Sequence, residues 1–484
     1  MAVKIIVLAA YASMIIIVGI IGMRKTKSFS DFFLGGGNVG PWMTAFSYGT
    51  AYFSAVVFIG FAGKVGWGFG FSGIWIGVFN ALIGVLGVWA IMGWKIKKMS
   101  IEYNVSTLSE FLEKRYDSKY LKLASSIAIF VFLVPYSAAV FIGLSKLFEA
   151  SFPEIEYWHI VVAMGAFTSI YLALGGYKSM TMIDTIFGMI MTASVIVLVF
   201  FTVNKGGGIV PITETLANIN PKLIEVVGPP GWWPLFSLIF LTSVAPFAMP
   251  QLIQKFYAIK DKRSIKIGMV ASTFFALLIG CIAYFIGSTT RVFLNPQNAP
   301  LSFPDGANGA LDPDALMPEL LNFVVPESLT IIILILILSA SMSTLAALVL
   351  ISSSSVVKDF YAGFINKNVS DKGLTSLMRV GSVLFVLISV IIALIKPNSI
   401  VAILGISWGA VGSFFLGPFV WGLFSKKMNK FGAISSSVLG LGICIGLFII
   451  WGPKSSPQAG TVGMMVSLIV NPIFSYVYNM VQKK

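Results

Sequence analysis

Charge is scarce in this chain: 11% of its 484 residues are Asp, Glu, Lys or Arg, where an ordinary soluble domain carries about a quarter. That shortage excludes a large solvated surface. Cysteine is nearly absent, and Cys281 and Cys444 each fall inside an apolar run, so neither a disulfide framework nor a cysteine metal site is indicated. Polar stretches long enough for a soluble domain are also missing, and the longest loops, about 204–230 and 289–327, carry their own prolines and glycines. There is no GxxxxGK[ST] loop, no selectivity-filter sequence and no cluster of acid, base and nucleophile, which leaves enzyme and channel functions unsupported. The single histidine, His159, receives no role.

What is present is hydrophobic: 57% of the residues. A helix needs about 20 residues to cross a hydrocarbon core of about 30 Å, and runs of that kind recur along the whole length. There are thirteen, at 4–23, 42–63, 72–94, 122–149, 158–175, 181–203, 232–254, 267–288, 328–357, 374–395, 400–423, 431–451 and 460–480. The expected fold class is therefore an all-α integral membrane protein, with residues 1–484 forming one transmembrane domain. The first run follows a single early lysine, lacks a small-residue cleavage site and leads into Arg24, Lys25 and Lys27, so it is expected to be a retained helix.

The net charge of +14 is explained by where the cations lie. With the N-terminus outside, the inner segments hold 25 of the 33 Lys and Arg, including Lys483 and Lys484 at the end of the chain. The positive-inside rule then predicts N-out and C-in. Acidic lipid headgroups account for the basic surface, and no nucleic acid is expected. The location is a cell membrane, plasma or bacterial inner, and no obligate protein partner is evident.

Two runs carry signs of interruption. The second reads PWMTAFSYGTAYFSAVVFIGFAGKVGWGFG, with Gly49 and Thr50 near its middle; the seventh reads FSLIFLTSVAPFAMPQLIQKFYAIKD, with Pro246 and Pro250. Backbone freed at membrane depth is tolerated only around a cavity. The two broken runs start five spans apart, so 42–203 and 232–423 read as two five-helix repeats of opposite orientation. Residues 4–23 form a leading helix and 431–480 two closing ones. In such inverted repeats, solute and ion sit near the midplane beside the broken helices.

The ninth run, ILSASMSTLAALVLISSSS over 337–355, carries eight hydroxyls. At about 100° per residue, Ala340, Ser343, Thr344 and Ala347 share one narrow face. Two hydroxyls there, the Ala340 carbonyl and two carbonyls freed around Thr50 and Phe53 would offer about five neutral oxygens to a sodium ion, a set that binds weakly enough to release it. Close helix packing explains the same small residues equally well on spacing alone.

Several stretches resemble the sodium:solute symporter family: DFFLGGGNVGPW, MPQLIQKFYAIKD, GGYKSMTMIDTIFG, SASMSTLAALVLISSSSVVKDFY and SWGAVGSFFLGPFVWGLFSKKMNKFGA, in order along nearly the whole chain. The resemblance implies a leucine-transporter-like fold with a leading extra helix, and relatives that carry proline, pantothenate, monocarboxylates, sialic acid or sugars. It matches Ser343 and Thr344 to the hydroxyl pair of the family's sodium site, and Ala340, Thr50 and Phe53 to its carbonyl ligands. Asp184 matches an acidic residue that the resemblance places on the ion pathway. Ala346 and Ala347 stand where some members have serines of a second sodium site, which favours one sodium per cycle. The chain departs from common family residues at Gly37, Tyr52 and Lys255.

The expected function is sodium-coupled import of a small organic solute by alternating access, preferably one bearing a carboxylate, with Na+ as the coupling ion. Tyr52, Ser54, Trp75, Thr242 and Ser243 are the candidate cavity-lining residues, and Lys64 a candidate guide for a carboxylate. Alternatives are a sodium-coupled sugar or sialic acid symporter, a proton-coupled transporter using Asp184, or a transporter-like sensor acting with a partner.

Overall fold

The computed structural model describes residues 2–306 and 310–482, which among themselves form helices and loops with a single parallel bridge, Val39 to Ile259. Lys483 and Lys484 lie outside the described residues. The helices used below are α1 (Ala2–Lys25), α2 (Pro41–Tyr52), α3 (Lys119–Ser151), α4 (Tyr157–Lys205), α5 (Trp232–Val244), α6 (Pro250–Ala258), α7 (Lys262–Ser288), α8 (Thr330–Ser354), α9 (Asp371–Ile395), α10 (Ile400–Phe424), α11 (Lys430–Trp451) and α12 (Ser456–Val481).

Eleven stretches are long and apolar enough to cross a membrane, against thirteen runs in the sequence. The difference has a geometric cause. One stretch, Val56–Glu102, has 47 residues, or about 70 Å at about 1.5 Å per residue, more than twice the hydrocarbon core. It divides at Gly70, with φ 61° and ψ −138°. Helix α4 has 49 residues and divides at Gly176, with φ 67° and ψ −178°. Both conformations are open to glycine and strained for any side chain. The legs on either side of these glycines correspond to the second and third runs and to the fifth and sixth.

Burial separates core from periphery. In α8 and α10, 83% and 94% of the most apolar residues are buried, against 22% in α1 and 28% in α11. Helices α8 and α10 therefore form the interior, while α1 packs on α4 and α11 packs with α12 at the edge. Small residues let backbones meet inside. A Cβ on Gly66 would stand 2.0 Å from the Gly287 carbonyl carbon, the close approach that substitutes for a hydrophobic driving force in lipid.

Both interruptions are present. The first lies a turn later than Gly49 and Thr50: α2 holds to Tyr52, Phe53 leaves the helix at φ −96° and ψ 89°, and the chain resumes at Ala55 through wide turns over Val56–Phe61. Gly49 stays helical because it is needed for packing, since a Cβ there would meet the Phe275 ring at 2.6 Å. The second interruption falls where the prolines predict. Helix α5 ends at Val244, a tight turn covers Ala245–Phe247, and α6 restarts with Pro250 at its first position, where a missing amide costs nothing.

Candidate functional site

The break after Tyr52 has a direct chemical result. In a continuous helix the Thr50 and Ala51 carbonyls would accept from the amides of Ser54 and Ala55; among the described residues neither receives a backbone amide. Across from them stands α8. Its Thr344 Oγ1 lies 3.4 Å from Thr50 O, 3.3 Å from Ala51 O and 3.1 Å from Ala340 O. A hydroxyl carries one proton, so at most one of the three carbonyls is satisfied by it.

One residue earlier on α8, Ser343 Oγ donates to Thr50 Oγ1 at 2.7 Å, and Thr50 Oγ1 in turn to Phe46 O at 2.7 Å. Thr50, Ala340, Ser343 and Thr344 are all fully buried. Residues 293 and 294 positions apart in the chain thus place several neutral oxygens together in the buried interior, the donor chemistry that suits a hard monovalent cation. The Phe53 carbonyl, an acceptor like the others, makes no hydrogen bond to this group among the described residues; its ring packs against Tyr52 and Phe275. Ala51 O, which sequence reasoning passed over, stands in the group instead.

Beside the break lies a cavity lined by Tyr52, Ser54, Asn80, Tyr136, Thr242, Tyr284 and Trp408, with Val56, Val57, Phe61 and Leu404. Its free volume is about 10 Å³, room for about one water. Tyr52 Oη donates to Thr242 O at 2.6 Å, and Thr242 Oγ1 lies 2.7 Å from Asn80 Oδ1. The first broken helix, the second broken helix and the leg between Gly70 and Glu102 are so joined at one point. Tyr284 Oη is buried without a hydrogen-bond partner, an exception that needs a reason in a native interior.

The expected lining is corrected in three places. Trp75 is 41% exposed and packs near Phe79; Asn80, five residues on, is the residue of that leg that reaches the cavity. Ser243 donates to Asn80 Oδ1 at 3.0 Å and supports the lining from behind. Lys64 is bound away from the cavity, its Nζ donating to Ser399 Oγ at 3.2 Å. Asn80, Tyr136 and Tyr284 were missed because each is an ordinary residue in its own helix and gains meaning only from its neighbours. Trp408 sits in the quoted SWGAVGS stretch, so a signal for it was available.

Asp184 is fully buried and pairs with residues of α2 and α6. Ser47 Oγ donates to its Oδ2 at 2.5 Å, and Lys255 Nζ stands 3.9 Å from the same oxygen. Ser47 precedes Thr50 by one turn of α2, and the Ser343 side chain also lies beside the carboxylate. The acid is therefore adjacent to the oxygen cluster.

A model of the sodium:solute symporter family matches residues 32–440. Among curated relatives, the osmoregulated proline transporter OpuE of Bacillus subtilis is 24% identical, over all of this chain and 96% of its own length. The sodium/proline symporter of Haemophilus influenzae is 29% identical, over 88% of this chain and 84% of its own. The sodium/pantothenate symporter of Escherichia coli is 27% identical, over 90% and 88%. Among solved structures, a Na+-coupled sialic acid symporter in a substrate-bound outward-open state superposes with a TM-score of 0.80 at 19% identity, over 98% of this chain and 97% of that one. The fold is leucine-transporter-like.

Proposed function

The chain belongs to the sodium:solute symporter family, and from that premise we propose that it imports a small carboxylate-bearing solute, an amino acid, monocarboxylate or pantothenate-like acid. Sodium coupling and a multi-pass place in the cell membrane follow from the family. The observation that carries the solute class is the end of the resumed helix. Val56 and Val57, in its first turn, line the cavity; their amides are capped by Ser54, Val56 N on its Oγ at 3.1 Å and Val57 N on its carbonyl at 3.0 Å, so what this end offers an anion is the partial positive charge of the helix N-terminus. The remaining lining is uncharged: hydroxyls, one amide and one indole. Proline and pantothenate, the solutes named for the relatives above, both carry a carboxylate.

The sodium ligands in this proposal are the Ser343 and Thr344 hydroxyls with the carbonyls of Thr50, Phe53 and Ala340, and Ala51 O as a further candidate. Asp184 stands on the ion's way out. A cavity of about 10 Å³ must widen to admit any such solute, which fits a cycle of alternating access in which the broken helices move.

Proteoliposomes test this. Uptake of labelled proline, pantothenate or a monocarboxylate should follow an imposed inward sodium gradient and collapse when choline replaces sodium. Uptake driven equally by a proton gradient without sodium would refute the coupling, and a solute without a carboxylate as the sole substrate would refute the class.

A further inference from the structure

Among the described residues Lys255 is the most fully buried lysine or arginine, 0% exposed on α6, and nothing in the transport cycle above uses it. Its Nζ donates to Ser47 Oγ at 2.8 Å, lies over the Tyr177 ring at 5.1 Å and faces Asp184 at 3.9 Å. Among the described residues Asp184 is the charged group that acts on it. The carboxylate is equally confined. Its Oδ2 accepts from Ser47 Oγ, and the Ser343 hydroxyl borders the same carboxylate.

A buried charge must keep a counter-charge, because leaving either member alone costs far more than forming the pair returns. Sodium released from the oxygens of Thr50, Ser343 and Thr344 meets this carboxylate next, since Ser343 and Ser47 both border it and Ser47 is one turn from Thr50 on the same face of α2. Two cations cannot both sit within contact distance of one buried acid without repelling each other.

We propose that Lys255 and the transported sodium alternate as the counter-cation of Asp184, the lysine holding the acid whenever sodium is elsewhere. The inference rests on the sodium site proposed above. What changes through the cycle is which cation stands at the carboxylate. Lys255 belongs to the second half of the broken helix whose first half supplies Thr242 to the cavity. Displacing it therefore moves the element that shapes the solute site, and ion exit and solute release share one part.

The experiment reads the sodium concentration that half-saturates thermal stabilisation of the purified full-length protein, with choline at matched ionic strength, at about pH 7, above the ordinary carboxylate range and below that of lysine. Lys255→Gln removes a competing unit charge about 4 Å from the acid, so the midpoint should fall at least about tenfold. Lys255→Arg should restore it to within about threefold, since the charge returns with different geometry. In an Asp184→Asn background, Lys255→Gln should leave the midpoint unmoved, because the site of competition is gone. Ser47→Ala, which leaves both charges in place, should lower the midpoint by about threefold through loss of the bridge to the lysine, an effect of about one hydrogen bond, and stands in if Lys255→Gln does not fold. A wild-type response with unmoved midpoints in Lys255→Gln, or in Ser47→Ala where it stands in, overturns the alternation alone. A wild type indifferent to sodium overturns the site and the alternation together.

Discussion

Oxygen and charge at single positions decide the ion chemistry. Ser343 and Thr344 reach across to α2, whereas Ser354 and Ser355 on the same helix bond to their own carbonyls, Ile351 O at 2.9 Å and Ser352 O at 2.8 Å. Ser343→Ala with Thr344→Ala should raise the half-saturating sodium concentration for uptake, at about 1–3 kcal/mol per lost buried polar contact, or about 5- to 150-fold each. Ser354→Ala with Ser355→Ala should stay within about threefold, because those hydroxyls are spent within one helix. Equal losses in both pairs would reduce the face to packing. Asn80 accepts from Thr242 and Ser243, neighbours on α5 just before the second break, and Asn80→Ala should raise the KM for solute by about tenfold or more while sodium-dependent stabilisation persists. An unchanged KM would remove it from the solute site.

Helix ends and breaks carry the next set of consequences. Asp314, in the loop before α8, accepts the amide of Ile400 at the start of α10 at 3.0 Å. Burial pushes its carboxyl up to about 7, aided by Asp312 and opposed by that amide, Lys64 and Lys146. A carboxyl raised on folding contributes stability that is fully present below its unfolded value of about 4 and lost as pH rises through about 7. The wild-type Tm should therefore fall between about pH 5 and pH 8, and Asp314→Asn should flatten that part of the curve; an unaltered slope in the variant would assign the pH dependence elsewhere. At the other kind of junction, Gly176→Ala forces a side chain into φ 67° and brings its Cβ 2.8 Å from the Phe32 ring. The strain alone is about 1–3 kcal/mol, so the Tm should drop by several degrees with sodium binding retained. A variant as stable as wild type would mean the turn is not held by its neighbours.

For the molecule as a whole, orientation is the open quantity that labelling settles. In a background of Cys281→Ser and Cys444→Ser, a membrane-impermeant thiol reagent should label Asn298→Cys in intact cells and Asn366→Cys only after permeabilisation. The reverse pattern would invert the N-out arrangement and the direction in which Asp184 stands from the sodium oxygens. The same scale shows why the two broken helices matter together. Thr242 joins the second to the cavity, and Thr50 joins the first to α8, so the solute and ion positions lie on elements that can move only as a set.

Hydropathy runs, proline positions and the hydroxyl face of α8 are properties of local spacing, and they were enough to indicate a many-span helical membrane protein, both interruptions and four of the five sodium candidates that now lie together. A bilayer makes such inference strong, because it admits no unpaired backbone except around a cavity. What the chain alone left open are the contacts made across it: Asn80 in place of Trp75, Ala51 O in place of a contact from Phe53, Lys64 tied to Ser399, and above all Lys255 against Asp184. In the sequence Asp184 and Lys255 stand out singly, one inside the sixth apolar run and one just past the seventh, with nothing to join them. Only packing that takes both from water and sets Ser47 between them gives the pair its meaning, because electrostatic interaction depends on separation and local dielectric, and neither quantity is written in a sequence.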